Sequence, residues 1–186
     1  MKKLLLITAI TIFGFANVNA QNDIKLGAKV GLNFANIYGD NTGNIDPITS
    51  IINFGIVGEI SLSEKFSFQP ELMYSVQGYS VSDDVVALNY FNIPLMGKYY
   101  LSKKLSVEAG PQIGFLLSAK DDGRSVTDNF KTLDFGVNVG VGYELNNGLN
   151  FGVRYNLGLS NINDVSGSSN KIRNGVAQIS VGYFFF

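Results

Sequence analysis

The sequence predicts an all-β fold: an eight-stranded antiparallel up-and-down transmembrane β-barrel over residues 21–186, behind an N-terminal signal peptide at residues 1–20. Three observations predict it. The final segment alternates at period 2, with Ile179, Val181, Tyr183 and Phe185 on one face and Gln178, Ser180 and Gly182 on the other. The same alternation recurs along seven earlier segments whose connections run long, short, long, short. Past the N-terminus, no stretch approaches the ~18 apolar residues of a membrane helix, so a membrane-embedded chain must cross as strands.

A chain that ends in a bare strand tipped with phenylalanines is unusual for a soluble protein, whose termini are commonly polar and frayed. It makes sense if the last strand pairs with the first and its apolar face meets lipid. Phe186 falls on the opposite phase from Phe185, so either can be the terminal anchor.

Composition narrows the function. The chain has 186 residues, 12% of them aromatic, 21 of them glycine and only 16% charged, against roughly 25% charged in soluble domains. It has no Cys, which removes disulfides, thiolate metal sites and cysteine nucleophiles. It has no His, which removes the commonest general base and metal ligand together. A formal charge of −1 offers no basic footprint for nucleic acid. At the N-terminus, Lys2 and Lys3 precede an apolar run from Leu4 to Phe15, too short to span a bilayer, and Ala20 supplies a small residue for cleavage. A buried N-terminal helix is the alternative, and these flanks disfavour it. Loss of Lys2 and Lys3 takes the formal charge from −1 to −3.

The strands follow in order. The first, 24–37, sets Ile24, Leu26, Val30 and Phe34 against Lys25, Lys29 and Asn33. The second, 51–62, sets Phe54, Ile56 and Ile60 against Asn53 and Glu59. The third, 66–80, sets Phe68, Leu72 and Tyr74 against Gln69, Glu71 and Gln77. The fourth, 87–101, carries Phe91, Ile93, Leu95 and Tyr99 on its apolar side, and the fifth, 105–119, sets Val107, Ile113 and Phe115 against Glu108 and Gln112. The sixth, 130–145, sets Phe135, Val139 and Tyr143 against Asp134, Asn138 and Glu144. The seventh, 149–162, sets Phe151, Val153 and Tyr155 against Asn150, Arg154 and Asn156, and the closing strand follows Lys171. Short turns fall at Ser63–Lys65, Ser102–Lys104 and Asn146–Gly148; longer polar loops fall at 38–50, 81–86, 120–129 and 163–171. Eight strands close a small barrel with no free edge. Short turns at one end and longer loops at the other are the asymmetry of bacterial outer-membrane barrels, with the loops facing outside.

Alternation alone does not say which face is the core, because a soluble lipocalin-like barrel alternates equally well with its apolar face inward. The apolar face carries almost no charge along the strand interiors, Lys131 at a strand start being the exception. Most strand glycines, including Gly27, Gly55, Gly110 and Gly140, share the polar face, as the crowded lumen of a small barrel requires; Gly58 and Gly97 are exceptions. Aromatics gather near the strand ends, with Tyr38, Phe54, Tyr79 and Phe115 toward the loops and Phe66, Tyr99, Phe151 and Tyr183 toward the turns, as interfacial girdles do. The apolar face is therefore expected to meet lipid. Pro70, Pro94 and Pro111 sit inside strands, where bulges or local breaks are expected.

Five segments carry a family resemblance: Lys29-Val-Gly-Leu-Asn33, Phe68-Gln-Pro-Glu-Leu-Met-Tyr-Ser75, Ile93-Pro-Leu-Met-Gly-Lys-Tyr-Tyr100, Gly110-Pro-Gln-Ile-Gly-Phe-Leu-Leu-Ser118 and Arg154-Tyr-Asn-Leu-Gly-Leu159. With them, residues 21–186 resemble the PorT-like outer-membrane β-barrel family of Bacteroidetes, a porin-type group of Gram-negative bacteria. The resemblance implies export through the periplasm to the outer membrane, contact with its lipid and lipopolysaccharide, and a surface or secretion-machinery protein as a possible partner. As in bacterial outer-membrane barrels at large, it implies that the assembly machinery reads the closing strand at Ile179, Val181, Tyr183, Phe185 and Phe186. It carries over no catalytic or ligand residue.

The inward face gathers Lys25, Lys29, Lys98 and Arg154 with Glu59, Glu71, Glu108, Asp134 and Glu144. In a narrow lumen such charges must pair, which predicts an interior ion-pair network that plugs the barrel; a narrow polar path for protons or small ions is the alternative. Glu108 with Asp134 invites an acid–base reading, but carboxylates in a lumen network explain the pair without catalysis, so no enzyme, cofactor or metal site is expected. The loops hold Asp40, Asp46, Asp83, Asp84, Asp121, Asp122, Asp128 and Asp164 against Lys120, Arg124, Lys171 and, just beyond, Arg173. They read as solvated tips, as weak divalent-cation bridges to lipopolysaccharide, or as a face for a cationic partner; none has the ligand spacing of a dedicated calcium loop. The expected function is a structural or interaction barrel that works through its outer loops. The alternative is a small pore for ions or small polar solutes, and a soluble periplasmic ligand-binding barrel is a distant third.

Overall fold

The computed structural model describes residues 24–43, 45–81 and 84–185. The expected signal peptide at residues 1–20, Asp83 and Phe186 lie outside the described residues. The elements are β1 (Ile24–Gly39), β2 (Asp46–Ser61), β3 (Phe66–Val81), β4 (Asp84–Tyr100), β5 (Leu105–Asp121), β6 (Arg124–Ser125), a 3-10 turn at Thr127–Asn129, β7 (Leu133–Glu144), β8 (Leu149–Gly158) and β9 (Ile172–Phe184). Eight long strands pair antiparallel in chain order, and β1 pairs with β9 to close the ring. The two-residue β6 folds back on the end of β5.

Closure is continuous from Gly27 opposite Phe184 to Gly39 opposite Ile172, and the Phe185 amide donates to the Leu26 carbonyl at 2.8 Å. Phe185 points outward, whereas Phe184 is buried in the lumen, with the Lys25 ammonium 5.3 Å from its ring centre. The outward anchor within the described residues is therefore Phe185. The outer surface is an apolar belt: Val30, Phe54, Ile56, Val139, Val153 and Tyr183 are all exposed, while Lys29, Glu59, Glu71, Asn138 and Arg154 are buried. A barrel with its polar side chains inside and its apolar ones outside suits lipid as the surrounding medium.

Crowding explains the inward glycines. A Cβ on Gly110 would stand 2.0 Å from the Leu95 carbonyl oxygen, whereas the outward Gly58 has its nearest neighbours 4.0 Å away.

Several expectations need correction. The residues expected as loops at 38–50 and 81–86 are largely strand: β2 begins at Asp46, and Val81 pairs with Asp84 across a two-residue connection. The strands β1 to β5 reach 16 or 17 residues. That length rises about 40 Å along a tilted barrel wall, against a lipid-facing band of about 25 Å. Their loop-side ends thus stand in water, where alternation no longer sorts apolar from polar residues. In contrast, the strands expected at 130–145 and 149–162 are shorter, spanning Leu133–Glu144 and Leu149–Gly158. Phe130 and Ile162 instead turn inward over the mouth of the barrel. Tyr79, expected in the outer girdle, packs against that inward cluster, because it continues the inward phase of Glu71, Ser75 and Gln77 in β3.

No register shift falls at the three prolines. Each interrupts the ladder on one side only: pairing lapses between Pro70 and β2, between Pro94 and β3, and between Pro111 and β4, then resumes in the same register. A missing N–H removes one ladder bond without adding a residue, so the result is a break and not a bulge. The register shifts lie elsewhere, near Leu32 in β1, between Pro47 and Asn53 in β2, and near Asn89 in β4.

Candidate functional site

The lumen is layered from the turn end upward. At the turn end, Lys25 donates to Glu144 at 2.5 Å and lies 4.0 Å from Glu59. Lys98 donates to Glu59 at 2.6 Å and to Gln69 at 3.2 Å, and the Tyr100 hydroxyl donates to the second Glu59 oxygen. Lys25, Glu59, Tyr100 and Glu144 floor an open vestibule of about 880 Å³, rimmed by Lys65 and Lys103 of the two Ser-x-Lys turns. The turns are built alike: the Ser63 and Ser102 hydroxyls accept the Phe66 and Leu105 amides at 3.1 Å each. Gly148, at φ +87°, makes the third turn.

The next layer centres on Arg154. Its guanidinium donates through Nη1 and Nη2 to the two Glu71 oxygens at 3.0 and 2.8 Å, and through Nε and Nη2 to Glu108 at 3.3 and 3.1 Å. Glu71 also accepts from Lys29 at 2.8 Å and from Gln69 at 2.6 Å. A fork-shaped donor held by two carboxylates suits arginine where lysine, a point charge, could not reach both.

Above it lies a belt of neutral amides. Asn156 donates to Asn138 and Asn138 to Gln112, both at 3.1 Å. Gln178 donates to Asn33 at 3.0 Å, and Asn33 to Ser75 at 2.9 Å. Sequence reasoning placed these residues inward but gave them no role; their shared strand phase was the available signal.

Asp134 stands apart from the network in which it was expected. Its carboxylate accepts from Ser160 and from the Asn174 amide, each at 2.7 Å, and no lysine or arginine nitrogen lies within 4.0 Å of it among the described residues. Six ladder positions separate it from the level of Glu108, roughly 20 Å along the wall, so the two are not an acid–base pair.

Over Asp134 sits an apolar lid that periodicity did not reveal. Ile37, Val86, Leu88, Tyr90, Leu116, Ala119, Phe130 and Ile162 pack together inside the mouth. The segment after β6 holds it down: the Thr127 hydroxyl accepts the Ala119 amide at 2.9 Å, and Phe130 bridges to Asn163. The outer loops are tied across the ring as well, since the Lys171 amide donates to the Asp40 carboxylate at 3.0 Å. Among the described residues, no three His, Cys, Asp or Glu side chains gather as a metal site.

A closed ring of eight long antiparallel strands inside an apolar belt agrees with what known proteins show. The family model described as an outer membrane protein β-barrel domain matches residues 15–164. The chain belongs to that family. Its members lie in the bacterial outer membrane, and this protein is an integral barrel of that membrane, in contact with its lipid. Among solved structures it is similar to Neisserial surface protein A, at 14% identity and a TM-score of 0.56 over 89% of this chain and 99% of that one. It is also similar to Ail of Yersinia pestis in complex with sucrose octasulfate, at 11% identity and TM-score 0.53 over 88% and 99%. A third, the outer membrane protein AlkL, matches at 15% identity and TM-score 0.51 over 91% and 94%. At such identities the likeness is one of fold. No curated protein sequence matches the chain.

Proposed function

We propose that this barrel is a plugged, PorT-like outer-membrane protein that acts through its outer face, as a structural or interaction protein and not as a pore, an enzyme or a cofactor carrier. One observation carries the reading. The two cavities beside the Arg154–Glu71–Glu108 cluster have volumes of about 10 and 20 Å³, room for one water at most. Ion pairs fill the lumen there, and the apolar lid closes it again above. A conducting path needs either a ring of one charge sign or a continuous wet channel.

The outer face bears on partner chemistry. At the outer end of the barrel the sequence sets eight aspartates, Asp40, Asp46, Asp83, Asp84, Asp121, Asp122, Asp128 and Asp164, against five cations, Lys120, Arg124, Lys131, Lys171 and Arg173. Ail is described with a heparin analogue, a polyanion; the acidic loops here suit instead a cationic surface or lipopolysaccharide bridged by divalent cations. The PorT-like resemblance extends this reading to a surface or secretion-machinery partner, and the unbroken pairing of the closing strand with β1 supports a reading in which the assembly machinery engages that strand.

Single-channel recording of the refolded protein in a planar bilayer tests the plug. Silence is expected for wild type, with insertion verified by protease protection. Discrete openings that change amplitude in Glu71→Gln would transfer the assignment to a small pore.

A further inference from the structure

The lid that closes the lumen is not smooth on its outer side. It holds an open notch of about 150 Å³, and segments far apart in the chain converge on it. Tyr79 comes from β3, Val86 from β4, Val126 and Phe130 from the stretch after β6, Val165 from the last loop and Ile172 from the start of β9. Hydrogen bonds fix these walls. The Asp164 amide donates to the Asn129 carbonyl and the Ile162 amide to the Ile172 carbonyl, both at 2.9 Å. The Asn163 side chain accepts the Val165 amide at 3.2 Å and donates to Ser168 at 3.0 Å and to the Asn170 carbonyl at 2.8 Å. A site with fixed walls loses little freedom when something enters it.

A second observation is the one charge on the wall. Asp121 is half-buried in the notch. Among the described residues no lysine or arginine nitrogen lies within 4.0 Å of its carboxylate, Arg124 opposite it in the β5–β6 ladder included, and no group hydrogen-bonds to it. Apolar walls take an apolar stem, and one carboxylate takes one positive charge. The volume is about half the roughly 300 Å³ of the smallest drug-sized sites, so it suits a single side chain and excludes a nucleotide or a sugar chain. Lysine has that form, a four-carbon stem ending in a compact charge. Arginine fits less well, because its five N–H donors would meet one carboxylate. Eight aspartates against five cations at the outer end favour the approach of a cationic chain.

We propose that this notch anchors a lysine side chain of a cationic polypeptide partner, with the stem against Val126, Phe130 and Ile172 and the ammonium on Asp121. The site rests on the outer-face reading above and gives it a point of contact.

The test is methyl NMR of the refolded barrel in phosphatidylcholine nanodiscs, with labelled valine and isoleucine. The probe is an acetylated glycine pentapeptide with one central lysine, compared with the same peptide carrying norleucine or arginine there. Shifts at Val86, Val126, Val165 and Ile172 should saturate with the lysine peptide, while the lipid-facing Val139 and Val153 stay still. Asp121→Asn should weaken binding about tenfold, the worth of one charge-assisted hydrogen bond. Asp122→Asn, which removes the same charge outside the notch, should leave it unchanged. Val165→Trp, neutral and at an exposed loop position, should block the notch without disturbing the barrel. No saturable shift at the notch, or equal or tighter binding of either comparison peptide, overturns the proposal. Retention on a polylysine-coated surface separates that failure from failure of the outer-face reading. Wild type should be retained and Val165→Trp less so; equal retention keeps the outer-face reading and overturns the notch, and no retention of wild type overturns both.

Discussion

Removing the Arg154 guanidinium tests what the central cluster contributes. Arg154→Met keeps much of the side-chain volume but strands two buried carboxylates. Glu108 loses the one cation that contacts it among the described residues, while Glu71 keeps Lys29 at 2.8 Å and Gln69 at 2.6 Å. Breaking one side of a buried pair costs about 3–5 kcal/mol, because the partner stays buried and uncompensated. At a urea dependence of about 2 kcal/mol/M, that lowers the unfolding midpoint by roughly 1.5–2.5 M. The assay is urea unfolding of the refolded barrel in lipid vesicles followed by far-UV circular dichroism, since the chain has no tryptophan to report. Two compensated variants separate charge from packing. Arg154→Met with Glu108→Gln should recover most of the loss, because it removes the stranded carboxylate. Arg154→Lys should recover only part, because a point charge cannot serve both glutamates. A shift below about 0.5 M in the single variant would refute the reasoning, by showing that water reaches Glu108 and screens it.

Three further outcomes follow from the fold. Gly110→Ala should prevent refolding into vesicles, because its Cβ would lie 2.0 Å from the Leu95 oxygen, while Gly58→Ala, with 4.0 Å of clearance, should refold at the wild-type yield by gel mobility. Phe130→Ala should loosen the lid at a cost of about 3 kcal/mol, the low end for a large buried aromatic, and should speed hydrogen exchange at Ala119 and Leu116 while leaving Glu108 unaffected. Phe185→Asp should slow insertion into preformed vesicles by placing a charge on the outer face of the closing strand, whereas Phe184→Leu, on the lumen side, should insert at the wild-type rate but lower the urea midpoint.

The strand count, the closing strand and the choice of lipid-facing side were legible in the sequence. Period-2 alternation is a local property: Val139, Val141 and Tyr143 mark the outer face wherever the rest of the chain goes. The charge-free apolar face and the inward glycines settled which side met lipid, and they too can be read strand by strand. The same logic placed all nine charged residues of the inward face in the lumen. It could not choose their partners. Arg154 and Glu71 stand 83 positions apart, and only barrel closure and strand register bring them within 2.8 Å. Asp134 carries the same pattern signal as Glu108, yet it lies too far up the wall to reach Arg154 and meets Ser160 and Asn174. The lid was hidden for a different reason. Leu88, Leu116, Phe130 and Ile162 sit where strands rise out of the membrane, and there an apolar residue facing inward breaks the pattern that polar-in, apolar-out alternation sets. Local chemistry thus determined which face each residue takes; the level at which it sits, and so the neighbour that answers its charge, was decided by the tilt, length and register of strands far apart in the chain.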